Sequence, residues 1–266
     1  MLNKFGDVGD GVALLQRRLV RAGYQVAVTH IFDKATQAAV MAAQRCFGLV
    51  VDGIAGPKTF VALAGVLPAH YLGAADLEAA AVSLGVAVAA VRAVNEVESR
   101  GHGMLPDGRP VILFERHVFW DRLQAYDIDP APIGAKNPSL VSEQPGGYQG
   151  GGAEYMRQAA AIQIHRAAAL ESCSWGAFQI MGYHWKRLGY DSIEEFVACM
   201  QDSEAEQLGA FVRFIAKDSS LLAALKGRKW AAFAKGYNGP NYARNLYDAK
   251  LAQAYAKYTE AEKVAA

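Results

Sequence analysis

Cysteine is scarce in this chain of 266 residues: Cys46, Cys173 and Cys199 stand far apart, with no Cys-x-x-Cys pair among them. An odd number at such spacing supports neither a disulfide framework nor a zinc site, and predicts buried free thiols in a reducing compartment. Long apolar runs are missing too. No stretch approaches the ~18 apolar residues of a membrane span, and the opening MLNKFGDVGDG has no basic segment followed by an apolar one. These absences predict a protein that starts in the cytoplasm, without an export signal of its own and without membrane insertion. Charge of one sign is also lacking: the formal net charge is +1, which excludes the basic field that steers nucleic-acid binders. What remains is an ordinary globular composition, 52% hydrophobic and 20% charged, with room for one or two domains. Its charge is uneven, seven Lys/Arg against four Asp/Glu over residues 1–66, so a mildly basic start precedes a near-neutral body.

The first 66 residues read as three short helices separated by glycine turns. Val12, Leu15, Leu19 and Ala22 lie on one face of a helix that stops at Gly23, and Thr36, Ala39, Val40, Ala43 and Phe47 form a second stripe ending at Gly48. A third helix follows Gly56 with Pro57 in its first turn and carries Phe60 and Leu63. IFDKATQAAV from Ile31 and IAGPKTFVAL from Ile54 align at an offset of 23 residues, each with a threonine ahead of an apolar stripe, which predicts two copies of a turn-and-helix unit.

Taken in order, Gly9, Val12, Leu15, Gln16, Leu19, Gly23-Tyr24, Phe32, Thr36, Ala39-Val40, Gln44, Gly48-Leu49, Asp52-Gly53-Ile54, Gly56-Pro57 and Thr59 resemble the peptidoglycan-binding domain family of three-helix modules. The departures are Ala43, where an aromatic is usual, and Asp33, in place of a turn glycine. The resemblance implies a wall-binding module over residues 1–66. AGVLPAHYLGAAD breaks the periodicity with Pro68 and Gly73, so residues 67–76 read as a linker and Asp76 as the N-cap of a helix through Leu77, Ala80, Ala81 and Leu84.

Beyond Gly85, VAVAAVRAVNEVESR reads as a helix ending in two glutamates. Glu98 shares a face with Val91, Val94 and Asn95, whereas Glu96 is rotated by roughly 200° and stacks on Arg92 as a solvated, ion-paired acid. On the apolar side of the last turn, desolvation and the negative helix end both disfavour ionisation of Glu98 and raise its pKa, as a proton donor requires. Downstream, SWGAFQIMGYHW reads as a small-residue turn leading into an apolar helix, and KGYNGPNYARN as a Gly/Asn/Pro loop with two tyrosines. Aromatic faces and amides suit the flat C–H faces and polar edges of sugar rings.

These segments, with Glu98-Ser99, Gly176, Gln179-Ile180-Met181 and Tyr237-Asn238-Gly239-Pro240, resemble the lysozyme-like superfamily of peptidoglycan-cleaving enzymes, and most closely the N-acetylmuramidase domain of modular phage endolysins. The resemblance implies Glu98 as general acid, with Ser99, Ser174, Trp175, Gln179, Tyr237 and Asn238 contributing to the substrate site, and no metal or other cofactor. Paired glycosidase carboxylates stand ~5 to ~9.5 Å apart. RPVILFERHVFW reads as a strand whose end carries Glu115, a candidate for positioning water, with His117 as its hydrogen-bond partner. Pro130 to Gly152 reads as a long surface loop bordering the cleft, and 192–230 as core helices.

The expected architecture is mainly α: a three-helix module, then over residues 77–266 a lysozyme-like domain with a small β-element around Val111 to Glu115. The expected reaction is hydrolysis of the β-1,4 bond between N-acetylmuramic acid and N-acetylglucosamine in host lysis. The rivals are a lytic transglycosylase forming anhydro ends and a noncatalytic wall-binding phage structural protein. The expected partner is the peptidoglycan glycan strand, reached by a monomer that leaves the host cytoplasm for the periplasm and cell wall through a holin or similar permeabilising partner.

Overall fold

Asp33 shows how locally the first helices are specified. It is the N-cap of its helix, accepting the Thr36 N–H at 2.8 Å, which explains an acid where the family usually has a glycine. The computed structural model describes residues 2–65, 70–99, 102–239, 243 and 245–265, and divides into two units, Met1–Ala79 and Ala80–Ala266.

In the first unit α1 (Asp10–Arg21), α2 (Lys34–Cys46) and α3 (Pro57–Ala62) enclose Val12, Leu15, Leu19, Phe32, Val40, Ala43, Ala55, Phe60 and Leu63. The internal echo is physical. Buried Gln16 donates to the Ile31 carbonyl and the Thr36 hydroxyl while its oxygen accepts the N–H groups of Thr29 and His30. Buried Gln44 repeats the pattern on partners 23 residues further along, donating to the Ile54 carbonyl and the Thr59 hydroxyl and accepting the N–H groups of Asp52 and Gly53. Equivalent residues His30 (φ 64°) and Gly53 (φ 71°) both take the left-handed turn that lets two consecutive N–H groups face one oxygen.

Helix α4 (Ala74–Leu84) starts three residues earlier than expected. Asp76 therefore sits inside its first turn, where it accepts the Gly73 N–H, rather than at the N-cap. Gly73 and Ala74 pair with Leu49 and Gly48, so the expected linker is hydrogen-bonded to the first unit from Gly73 onward; residues 67–69 of it lie outside the described residues.

The second unit runs α5 (Val88–Glu98), β1 (Ile112–Phe114), α6 (Arg116–Ala125), α7 (Ala131–Lys136), α8 (Ala153–Ile162), α9 (Arg166–Glu171), β2 (Cys173–Trp175) and β3 (Ile180–Met181). Then follow α10 (Trp185–Leu188), α11 (Ile193–Asp202), α12 (Glu204–Ala216), α13 (Ser219–Lys226), α14 (Trp230–Asn238) and α15 (Tyr247–Ala265). The strands form one antiparallel sheet in the order β1-β2-β3, with Phe114 opposite Cys173 and Trp175 opposite Ile180. SWGAFQIM is therefore a β-hairpin, not the start of a helix, because a short apolar run carries no periodicity that separates the two. Likewise the expected 130–152 loop contains α7.

Phe114, Phe119, Trp175, Phe196, Phe211 and Phe233 fill the core, and the apolar residues expected there from α11 and α12 are buried except Phe214, which is half-buried. Cys173 is buried and Cys199 half-buried, but Cys46 is exposed, contrary to the expectation of three buried thiols. Among the described residues no single helix is long and apolar enough to cross a membrane.

Candidate active site

Glu98 is the last residue of α5 and Asn238 the last of α14, and the two helix ends meet there: the Asn238 amide donates to Glu98 Oε1 at 2.9 Å. Gly239 (φ 77°) takes a conformation open to glycine directly after Asn238. Burial pushes the Glu98 carboxyl from its ordinary 4.5 up to about 7, against the opposing pull of that amide donor.

Tyr237, one residue before Asn238, ties this corner to the hairpin. Its hydroxyl donates to the Phe178 carbonyl at 2.7 Å, and its ring packs on Phe233 and edge-on to Phe211 and Phe214. Burial, and then the neighbouring charge of Glu98, raise its phenol pKa. In the turn, Gln179 is half-buried with φ 51°, a left-handed conformation rare outside glycine. Its amide braces the loop, donating to the Gly176 carbonyl and accepting from the Ser174 hydroxyl. Each end of that amide has hydrogen-bonding capacity to spare.

The hairpin is also locked to the segment after Glu98. Gln207 on α12 accepts the Ala177 N–H and donates to the carbonyl of Gly103, whose own N–H goes to buried Glu204. A Cβ on Gly103 or Gly176 would fall on the Gln207 side chain, which is why glycine stands at both positions. The sequence reading missed Glu204 and Gln207, because no spacing marks partners about a hundred residues apart.

Other expected site residues divide. Ser99 caps α5 through its N–H to the Asn95 carbonyl. Trp175 is core, 1% exposed with its indole N–H on the Leu170 carbonyl, so it offers no face to a sugar; Ser174 is buried beside it and occupied by Gln179. Glu96 is a solvent-facing, ion-paired acid as expected, but its partners are Lys257 at 2.8 Å and the Tyr258 hydroxyl at 2.6 Å, which anchor α15 to α5, rather than Arg92. Pro240 to Tyr242 and Arg244 of the tyrosine loop lie outside the described residues.

Glu115 follows β1 and is the N-cap of α6, so the expected strand ends at Phe114. Its Oε2 accepts the Tyr148 hydroxyl at 2.7 Å, while His117 Nδ1 lies 3.3 Å away without hydrogen-bond alignment, so the expected His117 hydrogen bond is not formed. The sheet register sets Glu115 opposite Ser172, four residues before Gly176, whereas the Glu98 network enters the hairpin at Phe178. The two carboxylates thus attach to opposite ends of the hairpin. The 137–152 segment is tied down beside Glu115. Arg116 donates to the carbonyls of Pro138, Gln144 and Pro145, and Arg157 to that of Ser139. Buried Glu154 accepts the N–H groups of Gln149, Gly150 and Phe114 together with Arg157. Among the described residues no group of three or more His, Cys, Asp or Glu side chains could hold a metal ion.

A half-buried acid whose carboxyl is pushed up to about 7 closes a helix, as the sequence pattern anticipated for Glu98, and residues 87–259 match the N-acetylmuramidase family. The chain belongs to the N-acetylmuramidase family. Residues 8–63 match a peptidoglycan binding domain, so the chain couples a wall-binding module to a peptidoglycan glycoside hydrolase. The crystal structure of the Burkholderia AP3 phage endolysin is 54% identical, covers 98% of this chain and 100% of that chain, and superposes with a TM-score of 0.92. A stretch of 60 residues, 21% of this chain, is 47% identical to the zinc D-Ala-D-Ala carboxypeptidase of Streptomyces albus G; the match spans only 23% of that protein's length.

Proposed function

We propose that this endolysin-type muramidase hydrolyses the β-1,4 bond between N-acetylmuramic acid and N-acetylglucosamine, with Glu98 protonating the leaving oxygen. The observation that carries this is a largely desolvated carboxyl with one donor among the described residues: Asn238 fixes Oε1, and burial keeps the group protonated up to about pH 7. Asn238 and Tyr237 act through Glu98, the first by orienting it and the second by holding α14 against the hairpin. Gln179 keeps the spare amide capacity to meet a sugar hydroxyl or acetamido group.

For the attacking water the same reading takes Glu115, whose Oε2 is held by Tyr148 while Oε1 receives no hydrogen bond from any described residue. Its place at the far end of the hairpin leaves the remaining distance to side-chain reach and to the water itself. We further propose that residues 1–66 supply wall affinity and the 77–266 domain the chemistry, in a monomer that reaches the wall from the host cytoplasm after a holin or similar partner opens the membrane.

The test is mass spectrometry of muropeptides released from purified peptidoglycan. Reducing-end N-acetylmuramic acid is expected; reducing-end N-acetylglucosamine or anhydro ends would overturn the assigned bond or the hydrolytic outcome. Glu115→Gln in the same assay decides the second group: a loss comparable to that of Glu98→Gln supports water activation, and near wild-type turnover refutes it.

A further inference from the structure

The first unit is richer than the second in exposed apolar side chains. Leu2, Phe5, Val8, Leu14, Val20, Val28 and Ile31 are all exposed within its first half, against six large hydrophobics over all the remaining described residues. Isolated surface apolar groups need no explanation, but a cluster on a soluble protein marks a contact surface.

Most of these residues cluster around the internal repeat. Segment 2–8 crosses both copies of the glutamine-centred loop: Asn3 pairs with Ala55 in the second copy, Gly6 donates to the Phe32 carbonyl, and Val8 pairs with Ile31 in the first. At the 23-residue offset, Val28 and Ile31 of the first loop correspond to Val51 and Ile54 of the second. The first pair is exposed at 42% and 49% and the second half-buried, while Phe5 (53%) and Val8 (72%) stand on the crossing segment. The buried glutamines and threonines satisfy the loop backbones from within. The outward side chains are therefore not required to hold the loops together.

We propose that Val28 and Ile31, Val51 and Ile54, with Phe5 and Val8 between them, form a two-part surface that binds peptidoglycan. The proposal rests on the peptidoglycan binding domain matched over residues 8–63 and adds where that domain makes contact. Peptidoglycan is a repeating polymer whose acetamido and lactyl methyls, alanine side chains and pyranose C–H faces recur along the strand. Two equivalent apolar loops joined by an aromatic residue suit a ligand that presents the same apolar features twice. Each loop contributes part of the affinity, and their linkage in one rigid unit makes the second contact intramolecular.

The test is co-sedimentation of the full-length chain with purified sacculi, in a Glu98→Gln background so that the sacculi stay intact. Ile31→Ser and Ile54→Ser should each weaken binding by roughly tenfold, and the double variant by more. Val20→Ser, an equally exposed change on α1, should bind like the parent. Phe5→Ser provides a variant at an exposed position should Ile54→Ser lower the unfolding midpoint. Parental binding by Ile31→Ser and Phe5→Ser overturns the surface. Loss in Ile31→Ser with none in a folded Ile54→Ser overturns its two-part character. A parent that does not sediment with sacculi removes the wall-binding reading itself, an outcome distinct from the other two.

Discussion

Glu98 is half-buried and Glu154 fully buried in the second unit, and their chemistry diverges in the direction opposite to depth alone. Glu98 closes α5 at its negative end and among the described residues takes one neutral donor; burial prevails, and its pKa climbs to about 7. Glu154 lies in the first turn of α8, at the positive end. Burial would raise its pKa as well, but the N–H groups of Gly150, Gln149 and Phe114 and the Arg157 guanidinium outweigh it and hold the carboxyl below its ordinary value. The donors that the described residues supply to each carboxyl set the opposite directions of the two shifts.

The sharpest way to break the comparison is Glu154→Gln. It leaves Arg157 buried without its counter-charge and should cost about 3–5 kcal/mol, read as a large fall in Tm, while any folded fraction keeps its specific activity. Glu98→Gln should do the reverse, lowering turnover on purified peptidoglycan at least ~10²-fold without loss of fold. Its effect on stability has a definite sign. A carboxyl raised from 4.5 to about 7 favours the folded state fully below pH 4.5, and that contribution is lost as pH rises through 7. The variant should therefore melt above wild type at pH 8, by on the order of 3 kcal/mol at most, and match it at pH 4. Wild-type activity should fall through the same range as the acid deprotonates.

Asn238→Ala sharpens the case from the donor side. Removing a donor that favours the carboxylate should move the alkaline limb of the pH–rate profile upward while kcat at neutral pH drops roughly tenfold from lost positioning. An unchanged limb would mean that Asn238 does not reach the titrating group. The smallest effect is expected from Glu96→Gln: about 1 kcal/mol of stability, because a partly exposed pair with Lys257 is lost while the Tyr258 hydroxyl still finds an acceptor, with kcat nearly unchanged.

The helices of the first unit were legible because each combines an apolar stripe with a glycine or capping residue at its end, and even the 23-residue echo corresponds to a repeated hydrogen-bond pattern. Glu98 was legible for the same reason: position on a helix fixes face and end, and those two facts set its electrostatics. The Glu154–Arg157 pair was not. AEYMRQ looks like a solvated helix start, and the only clue was the preceding GGYQGGG, a run of amides in need of an acceptor. Trp175 misled because an aromatic beside a turn has the same one-letter signature whether it faces a sugar or the core. Glu96 misled because its partners come from α15, some 160 residues away.

The two buried glutamines of the first unit have a kinetic consequence. Gln16 closes only the first loop and Gln44 only the second, so each loop opens about its own fastening. Amide hydrogen exchange at Thr29 and His30 then reports one local opening and exchange at Asp52 and Gly53 another, and a lesion in one loop leaves the protection of the other in place.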